Sequence, residues 1–194
     1  RKPAAFDPAS SLIRFSIMAS EAVEYLLAAR LVEGLRDSPG IDIEFLPADR
    51  GRAPGLLGRG EIDFRLGWWP NPAPMLRYKM LFRDRIACVA RKGHPEIRGR
   101  LTVGEFLGLP HIRIRSADAG PSMQAVDDAV AVLRGKLRIA VRTHGISSLS
   151  QVVSGSDAIA TVPESLARLL ARERPLQVLA APVDACGAVG HLRS

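Results

Sequence analysis

The sequence predicts an α/β protein built as two similar lobes. Three observations carry this prediction: short apolar segments of strand length, helical periodicity between them, and a pattern that restarts near the middle of the chain. With 194 residues, 47% of them hydrophobic and 24% charged, the composition is that of an ordinary globular protein. No apolar run approaches the roughly 18 residues of a membrane-spanning helix, so we expect no membrane partner.

The first half contains three strand-like segments separated by two helical ones, at residues 13–19, 21–37, 41–46, 56–59 and 64–68. The first segment is apolar at nearly every position, which is typical of a strand buried on both faces of a parallel sheet. Ser20 is placed to cap the helix that follows, and Ser38-Pro39-Gly40 is placed to stop it.

The second half repeats this alternation, which predicts parallel sheets with helices packed on both faces. A strand at 86–90 and a short helix begun by the capping box of Thr102 and Glu105 lead into it. Further strands are predicted at 111–115, 137–141, 158–162 and 177–180, with helices at 121–133, 147–153 and 164–173. Residues 1–84 then form the first lobe, 85–184 the second, and 185–194 a return crossing into the first.

The net charge of +7 raises nucleic acid as a partner, but the distribution argues against a dedicated site. Basic residues run from Arg1 to Arg193, and the densest stretch is interrupted by Asp84 and Glu96. A surface of mixed charge is therefore expected rather than a basic stripe.

Motifs that tie spacing to catalysis or to cofactors are missing, since the sequence has no HExxH, GxSxG, Walker loop or CxxC. We expect no enzyme activity, no cofactor and no metal. His94 is interpreted as a turn residue of Gly-His-Pro. Cys88 and Cys186 each fall near a predicted inter-lobe crossing, so they are expected to lie near each other and to stay reduced.

Polar and aromatic side chains follow several predicted strands at the point where each strand ends. In open α/β sheets, ligands bind beyond the carboxyl ends of strands, so these residues should converge on a cleft between the lobes. The candidate ligand-binding residues are Ser20, Glu21, Asp49, Trp68, Arg115, Ser116, Thr143 and His144.

Four motifs in order resemble one known family. They are Phe6-Asp7-Pro8 with Ser10 or Ser11, Gly60-Glu61-Ile62-Asp63 leading into Phe64-Arg65-Leu66-Gly67, Arg91-Lys92-Gly93-His94-Pro95, and the run from Ser156 to Pro163. Together they resemble the effector-binding (regulatory) domain of LysR-type transcriptional regulators, over essentially the whole chain. The resemblance is closest to the subgroup that answers to aromatic acids and flavonoid inducers.

The resemblance implies two Rossmann-like lobes with a hinge, as in type 2 periplasmic binding proteins, and a small effector held in the cleft. It also implies a cytoplasmic homo-oligomer, dimer or tetramer, whose operator DNA is bound through an N-terminal winged helix-turn-helix and linker helix absent from this chain. Glu21 stands where relatives commonly carry Asp, and Trp68-Trp69 is bulkier than usual. The effector is therefore predicted only as a small organic acid or aromatic compound.

Two alternatives belong to other classes of protein. A solute-binding protein of a transport system shares the two-lobed fold, but it would need an export signal, and the opening RKPAAFDPASS lacks one. An enzyme on the same architecture would need an acid, base or nucleophile set, which the sequence does not offer.

Overall fold

The computed structural model describes residues 6–68, 76–115, 121–132, 135–183 and 186–193. The chain divides into two compact units. Unit 1 contains the chain up to Gly67, the segment that ends at Lys79 and the last residues from Gly190 onward, whereas unit 2 includes the whole stretch Met80–Val189. The division predicted from sequence, at residues 84 and 184, stays a prediction.

Unit 1 is built on a sheet in the order β2-β1-β3-β9. Its elements are β1 (Ile13–Ala19), α1 (Glu21–Gly34), β2 (Ile41–Pro47), α2 (Ala53–Gly58), β3 (Phe64–Trp68) and the end of β9 (Cys186–Arg193). The pairings of β1 with β2 and with β3 are parallel, as predicted. The prediction that β1 is buried along its length is wrong for its first half, where Ile13 is 41% exposed. β3 pairs with β1 only from Ile17 onward, so the first half has less cover.

A glycine ends α2 and leads into β3. Gly60 has φ of +67°, its amide donates to the Leu57 carbonyl (3.0 Å), and the Glu61 amide donates to the Leu56 carbonyl (2.9 Å). These two bonds form a Schellman motif, which favours glycine because other residues are strained at positive φ. Asp63 then fixes the start of β3, since its Oδ2 accepts from the Ser16 amide at 2.8 Å.

A row of aromatic rings crosses unit 1. The ring of Phe6 lies 6.4 Å from that of Phe15, Phe15 lies 6.0 Å from Phe64, and Phe64 lies 5.8 Å from the imidazole of His191. Burial lowers the pKa of His191, and the charges of Arg193 and Lys79 lower it further. Through this row the opening Phe-Asp-Pro motif packs onto β1, β3 and β9.

Unit 2 has a mixed sheet in which β4 lies between β8 and β7, followed by β5 and β6. Its elements are β4 (Arg77–Arg91, beginning in unit 1), α3 (Val103–Gly108), β5 (Pro110–Ile114), α4 (Pro121–Val132), β6 (Arg138–Thr143), α5 (Ile146–Ser154), β7 (Ile159–Pro163), α6 (Glu164–Glu173) and β8 (Leu176–Ala180). β5 is parallel to β6 and β7, as predicted. β4 is antiparallel to β7 and β8, which departs from the prediction of parallel sheets. β4 is one continuous strand that begins in unit 1 at Arg77 and ends in unit 2 at Arg91, so alternation of strands and helices does not fix its direction.

His111 is a core residue of unit 2. Its Nε2 lies 2.6 Å from the Phe106 carbonyl oxygen, and its ring meets the Phe106 ring edge-on at 4.9 Å. The pKa of His111 is lowered, chiefly by burial, although the bond to the Phe106 carbonyl opposes that shift. Cys88 is also fully buried, and desolvation raises the pKa of its thiol to about 11. It is a free cysteine, whereas the side chain of Cys186 lies outside the described residues.

Two of the motifs found in the sequence contact each other in unit 2. Arg91 Nε donates to Asp157 Oδ1 at 2.7 Å, and the His94 ring bonds the Asp157 carbonyl through Nε2 at 3.0 Å. His94 Nδ1 accepts from the amides of Glu96 (3.2 Å) and Ile97 (3.3 Å). His94 is therefore more than a turn residue. It is 5% exposed, and its hydrogen bonds connect the turn after β4 to the segment before β7.

The N-terminus of α6 is held by a carboxylate from a neighbouring strand. Its N-cap residue, Pro163, supplies no capping side chain. Asp84 of β4, which is buried, accepts from the Ser165 amide at 3.3 Å and from the Ser165 hydroxyl. A carboxylate at this end also complements the helix dipole. Within the described ranges, no helix is long and apolar enough to cross a membrane.

Candidate functional site

In unit 1, three predicted site residues, Ser20, Glu21 and Asp49, lie beyond the carboxyl ends of β1 and β2. Ser20 is the N-cap residue of α1 and is half-buried, yet its hydroxyl makes no capping hydrogen bond. The helix begins instead on the Ser20 carbonyl, which accepts from the amides of Val23 (2.9 Å) and Glu24 (3.0 Å). Glu21 is exposed on the first turn. The Ser20 hydroxyl is thus not committed to capping and suits a ligand contact.

Asp49 is committed to the fold of unit 1. Its Oδ1 accepts from the Arg52 amide at 3.0 Å, and its carbonyl accepts from the Ala53 amide at 3.0 Å, so it leads the chain into α2. Its own amide donates to the sulfur of Met18 at 3.4 Å. These contacts give Asp49 a structural role whether or not its second carboxylate oxygen meets a ligand.

Near its beginning, β3 holds a buried arginine that was not among the predicted site residues. Arg65 is 2% exposed, and its Nη1 donates to the Leu66 carbonyl. The guanidinium lies against Gly67, where an added Cβ would come within 3.2 Å of Arg65 Cζ. The signal in the sequence was an arginine inside an apolar strand, followed two residues later by glycine. Trp68 ends β3, and its side chain lies outside the described residues.

In unit 2, the structure brings Arg115 and Thr143 together. The Arg115 amide donates to the Thr143 carbonyl at 2.7 Å, which joins the end of β5 to the end of β6. The Thr143 hydroxyl oxygen lies 3.5 Å from the Gly145 amide, directly before α5. Arg115 and His144 are both exposed. Ser116 falls outside the described residues.

Two further arginines lie at this edge and were missed. Arg113 of β5 and Arg142 of β6 are partners in the sheet register, and Arg113 Nη2 pairs with Asp127 Oδ1 of α4 at 2.7 Å. Arg142 is exposed. The sequence signal for Arg142 was its position at the end of a strand, directly before Thr143. Strand alternation alone could not show that Arg142 pairs with Arg113.

Comparison with known proteins identifies the family. The model of the LysR substrate binding domain matches residues 10–189, which is nearly the whole chain. The chain belongs to the LysR substrate-binding domain family. Its resemblance to LysR-type regulators is therefore confirmed, and so is the predicted effector-binding role over the transport alternative.

Relatives of this LysR domain are transcriptional regulators. It is 32% identical over 185 residues to Nodulation protein D 1 of Rhizobium tropici, covering 92% of this chain and 58% of the relative. It is 28% identical over 165 residues to the HTH-type transcriptional activator NagR of a Ralstonia species, covering 84% and 54%. The chain thus spans somewhat more than half the length of these relatives.

Solved structures share the fold of this LysR domain. A probable transcriptional regulator from Pseudomonas aeruginosa matches with a TM-score of 0.84 and 26% identity, covering 97% of this chain and 63% of that one. The regulatory domain of MexT, a transcriptional activator of the same organism, matches with a TM-score of 0.79 and 23% identity, covering 93% and 89%. The predicted α/β class, with the fold of LysR regulatory domains, is confirmed.

Proposed function

We propose that this chain is the sensing part of a transcriptional regulator, that it binds a small organic acid or aromatic effector, and that it catalyses no reaction. The observation that carries the proposal is the meeting of Arg115 and Thr143 at the carboxyl ends of β5 and β6. An exposed arginine at the carboxyl ends of parallel strands is suited to bind the carboxylate of an anionic ligand.

The proposed effector contacts are the strand-end residues selected from the sequence. They are Ser20, Glu21 and Asp49 in unit 1, and Trp68, Arg115, Ser116, Thr143 and His144 in unit 2. The Ser20 hydroxyl makes no capping hydrogen bond to α1, which supports this assignment. The same proposal gives Arg115 a carboxylate to bind in a bidentate pair and His144 a switchable donor.

Regulation requires the effector to bind one arrangement of the protein better than another. A coupling of roughly 1 to 3 kcal/mol between effector and operator would suffice. The longer regulators among the relatives support an assembly in which this chain, as a dimer or tetramer in the cytoplasm, passes that preference to a separate DNA-binding part. Specific operator binding is not expected of this chain by itself, since a recognition helix is needed to place basic residues in a groove.

The test is a thermal-stability screen of this chain against small aromatic and aliphatic acids, followed by titration of a positive compound. A ligand at a hundred times its dissociation constant stabilises by about 2.7 kcal/mol. Arg115→Ala and His144→Ala should weaken binding, whereas Arg138→Ala, an exposed arginine at the other end of β6, should not. Equal affinity in wild type and both site variants would refute the site.

A further inference from the structure

The carboxyl edge of β5 and β6 concentrates positive charge on one face of unit 2. Register partners of neighbouring strands project to the same face, so Arg113 and Arg142 are side by side. Arg115 follows Arg113 by two residues, and its amide continues the ladder by donating to the Thr143 carbonyl at 2.7 Å. By strand alternation, Arg115 returns to the face that holds Arg113 and Arg142.

The charges of these three arginines are only partly balanced. Arg113 pairs with Asp127 at 2.7 Å, but within the described part of the chain neither Arg115 nor Arg142 forms an ion pair. Both are exposed. Like charges placed opposite each other on neighbouring strands destabilise a sheet. A local arrangement that costs stability without a structural return is typical of a functional site.

We propose that Arg115 and Arg142 together bind a dianionic group of the effector. This inference rests on the proposed function and deepens it, because it adds Arg142 to the site and names the class of ligand. Two guanidinium groups on one face match either a phosphate monoester or two neighbouring carboxylates. Arg113 is already paired with Asp127, so Arg115 and Arg142 are the two charges left to bind the ligand.

The probes are inorganic phosphate, malonate and acetate at pH 8 and constant ionic strength, with thermal unfolding of the chain as the readout. Phosphate or malonate should raise the unfolding temperature in a saturable manner, whereas monoanionic acetate should not. Which of the two dianions binds more tightly distinguishes a phosphorylated effector from a dicarboxylic one. Constant ionic strength separates site binding from general screening.

Three variants assign the effect to Arg142. In Arg142→Gln the dianion affinity should fall about tenfold or more, because a charge-assisted hydrogen bond is lost. Arg142→Lys keeps the charge but lacks the planar guanidinium, so its affinity for the dianion should lie between those of wild type and Arg142→Gln. Arg138→Gln removes an exposed arginine from the opposite end of the same strand and should leave the affinity within about twofold of wild type.

A second readout needs no ligand. Because Arg142→Gln relieves like-charge repulsion, its unfolding temperature without ligand should exceed that of wild type by about 1 to 3 °C, while Arg142→Lys should match wild type. A structural role for Arg142 would instead lower the unfolding temperature. The inference is overturned by equal dianion affinity in Arg142→Gln and wild type, by an equal loss in Arg138→Gln, or by an equal response to acetate.

Failure of this inference and failure of the proposed function give different results. An effector whose binding needs Arg115 and His144 but is unchanged in Arg142→Gln would overturn the dianion site and leave the proposed function standing. Phosphate binding that needs Arg142, with neither malonate nor any other organic acid or aromatic compound bound at Arg115 or His144, would overturn the proposed effector class instead.

Discussion

Replacement of His94 by alanine tests how much the hydrogen bonds of its imidazole, which connect the turn after β4 to the segment before β7, stabilise unit 2. The imidazole bonds the Asp157 carbonyl at 3.0 Å and accepts from the amides of Glu96 and Ile97 at 3.2 and 3.3 Å. His94→Ala leaves these three backbone groups without that partner in a buried region. Each unsatisfied buried group costs about 1–3 kcal/mol, and entry of water into the vacated space recovers part of the loss.

A net loss of about 3 kcal/mol follows as the central expectation, which corresponds to a decrease in unfolding temperature of about 6 to 12 °C for a chain of this size. His94→Asn retains an acceptor near the position of Nδ1 and should recover about half of the loss. Lys92→Ala changes an exposed residue of the same turn and should stay within about 0.5 kcal/mol of wild type.

The assays are urea and thermal denaturation, with hydrogen exchange of the Glu96 and Ile97 amides as a local readout. Exchange at both amides should accelerate in His94→Ala and stay unchanged in Lys92→Ala. If the unfolding temperature of His94→Ala is within 1 °C of that of Lys92→Ala and both amides keep their protection, the His94 hydrogen bonds do not stabilise unit 2 and this prediction is refuted.

Three other perturbations follow from the structure. Gly60→Ala should destabilise by about 1 kcal/mol because of its φ of +67°, whereas Gly58→Ala, equally open but helical, should be neutral or stabilising; equal effects in chemical denaturation would contradict the motif. Burial lowers the pKa of His111, so below about pH 6.5 the unfolded chain binds more protons than the folded one, and the free energy of unfolding should decrease as the pH is lowered. This dependence on pH should be weaker in His111→Gln, and an unchanged slope would be contrary evidence. The Cys88 thiol, with a pKa of about 11, should resist iodoacetamide at pH 8 until the protein unfolds, and rapid labelling of the folded protein at Cys88 would show that it is accessible.

Local pattern was enough to predict most of the elements. The apolar run at 13–19 and the capping box of Thr102 and Glu105 identified a strand and a helix where the structure has them. Boundaries shifted where the signal was weak: α1 ends at Gly34 rather than at residue 37. The full length of β4 was missed, because its exposed first half, with Arg77 and Lys79, lacks the apolar pattern of a buried strand.

At the candidate site, the sequence could not predict contacts that depend on how distant strands pair. The rule that ligands bind at strand ends selected Arg115 and Thr143, and the structure places these two together. It did not select Arg142, because the register of β5 against β6 contains a shift between His111 and Ile112 that no sequence spacing announces. The contact of Arg91 with Asp157 joins residues far apart in sequence, so each motif was recognisable while their interaction was not.

The aromatic row of unit 1 bears on the order in which the two units can finish folding during synthesis. Unit 2 includes a single continuous stretch, Met80–Val189, but unit 1 needs the chain from both sides of it. Phe6, Phe15 and Phe64 leave the ribosome before unit 2 is made, and His191, which completes the row, leaves after Val189. During synthesis unit 1 therefore waits, with β3 lacking its β9 neighbour and an open sheet edge, until unit 2 has been made. The sheet of unit 1 is therefore completed only after unit 2 has been synthesised.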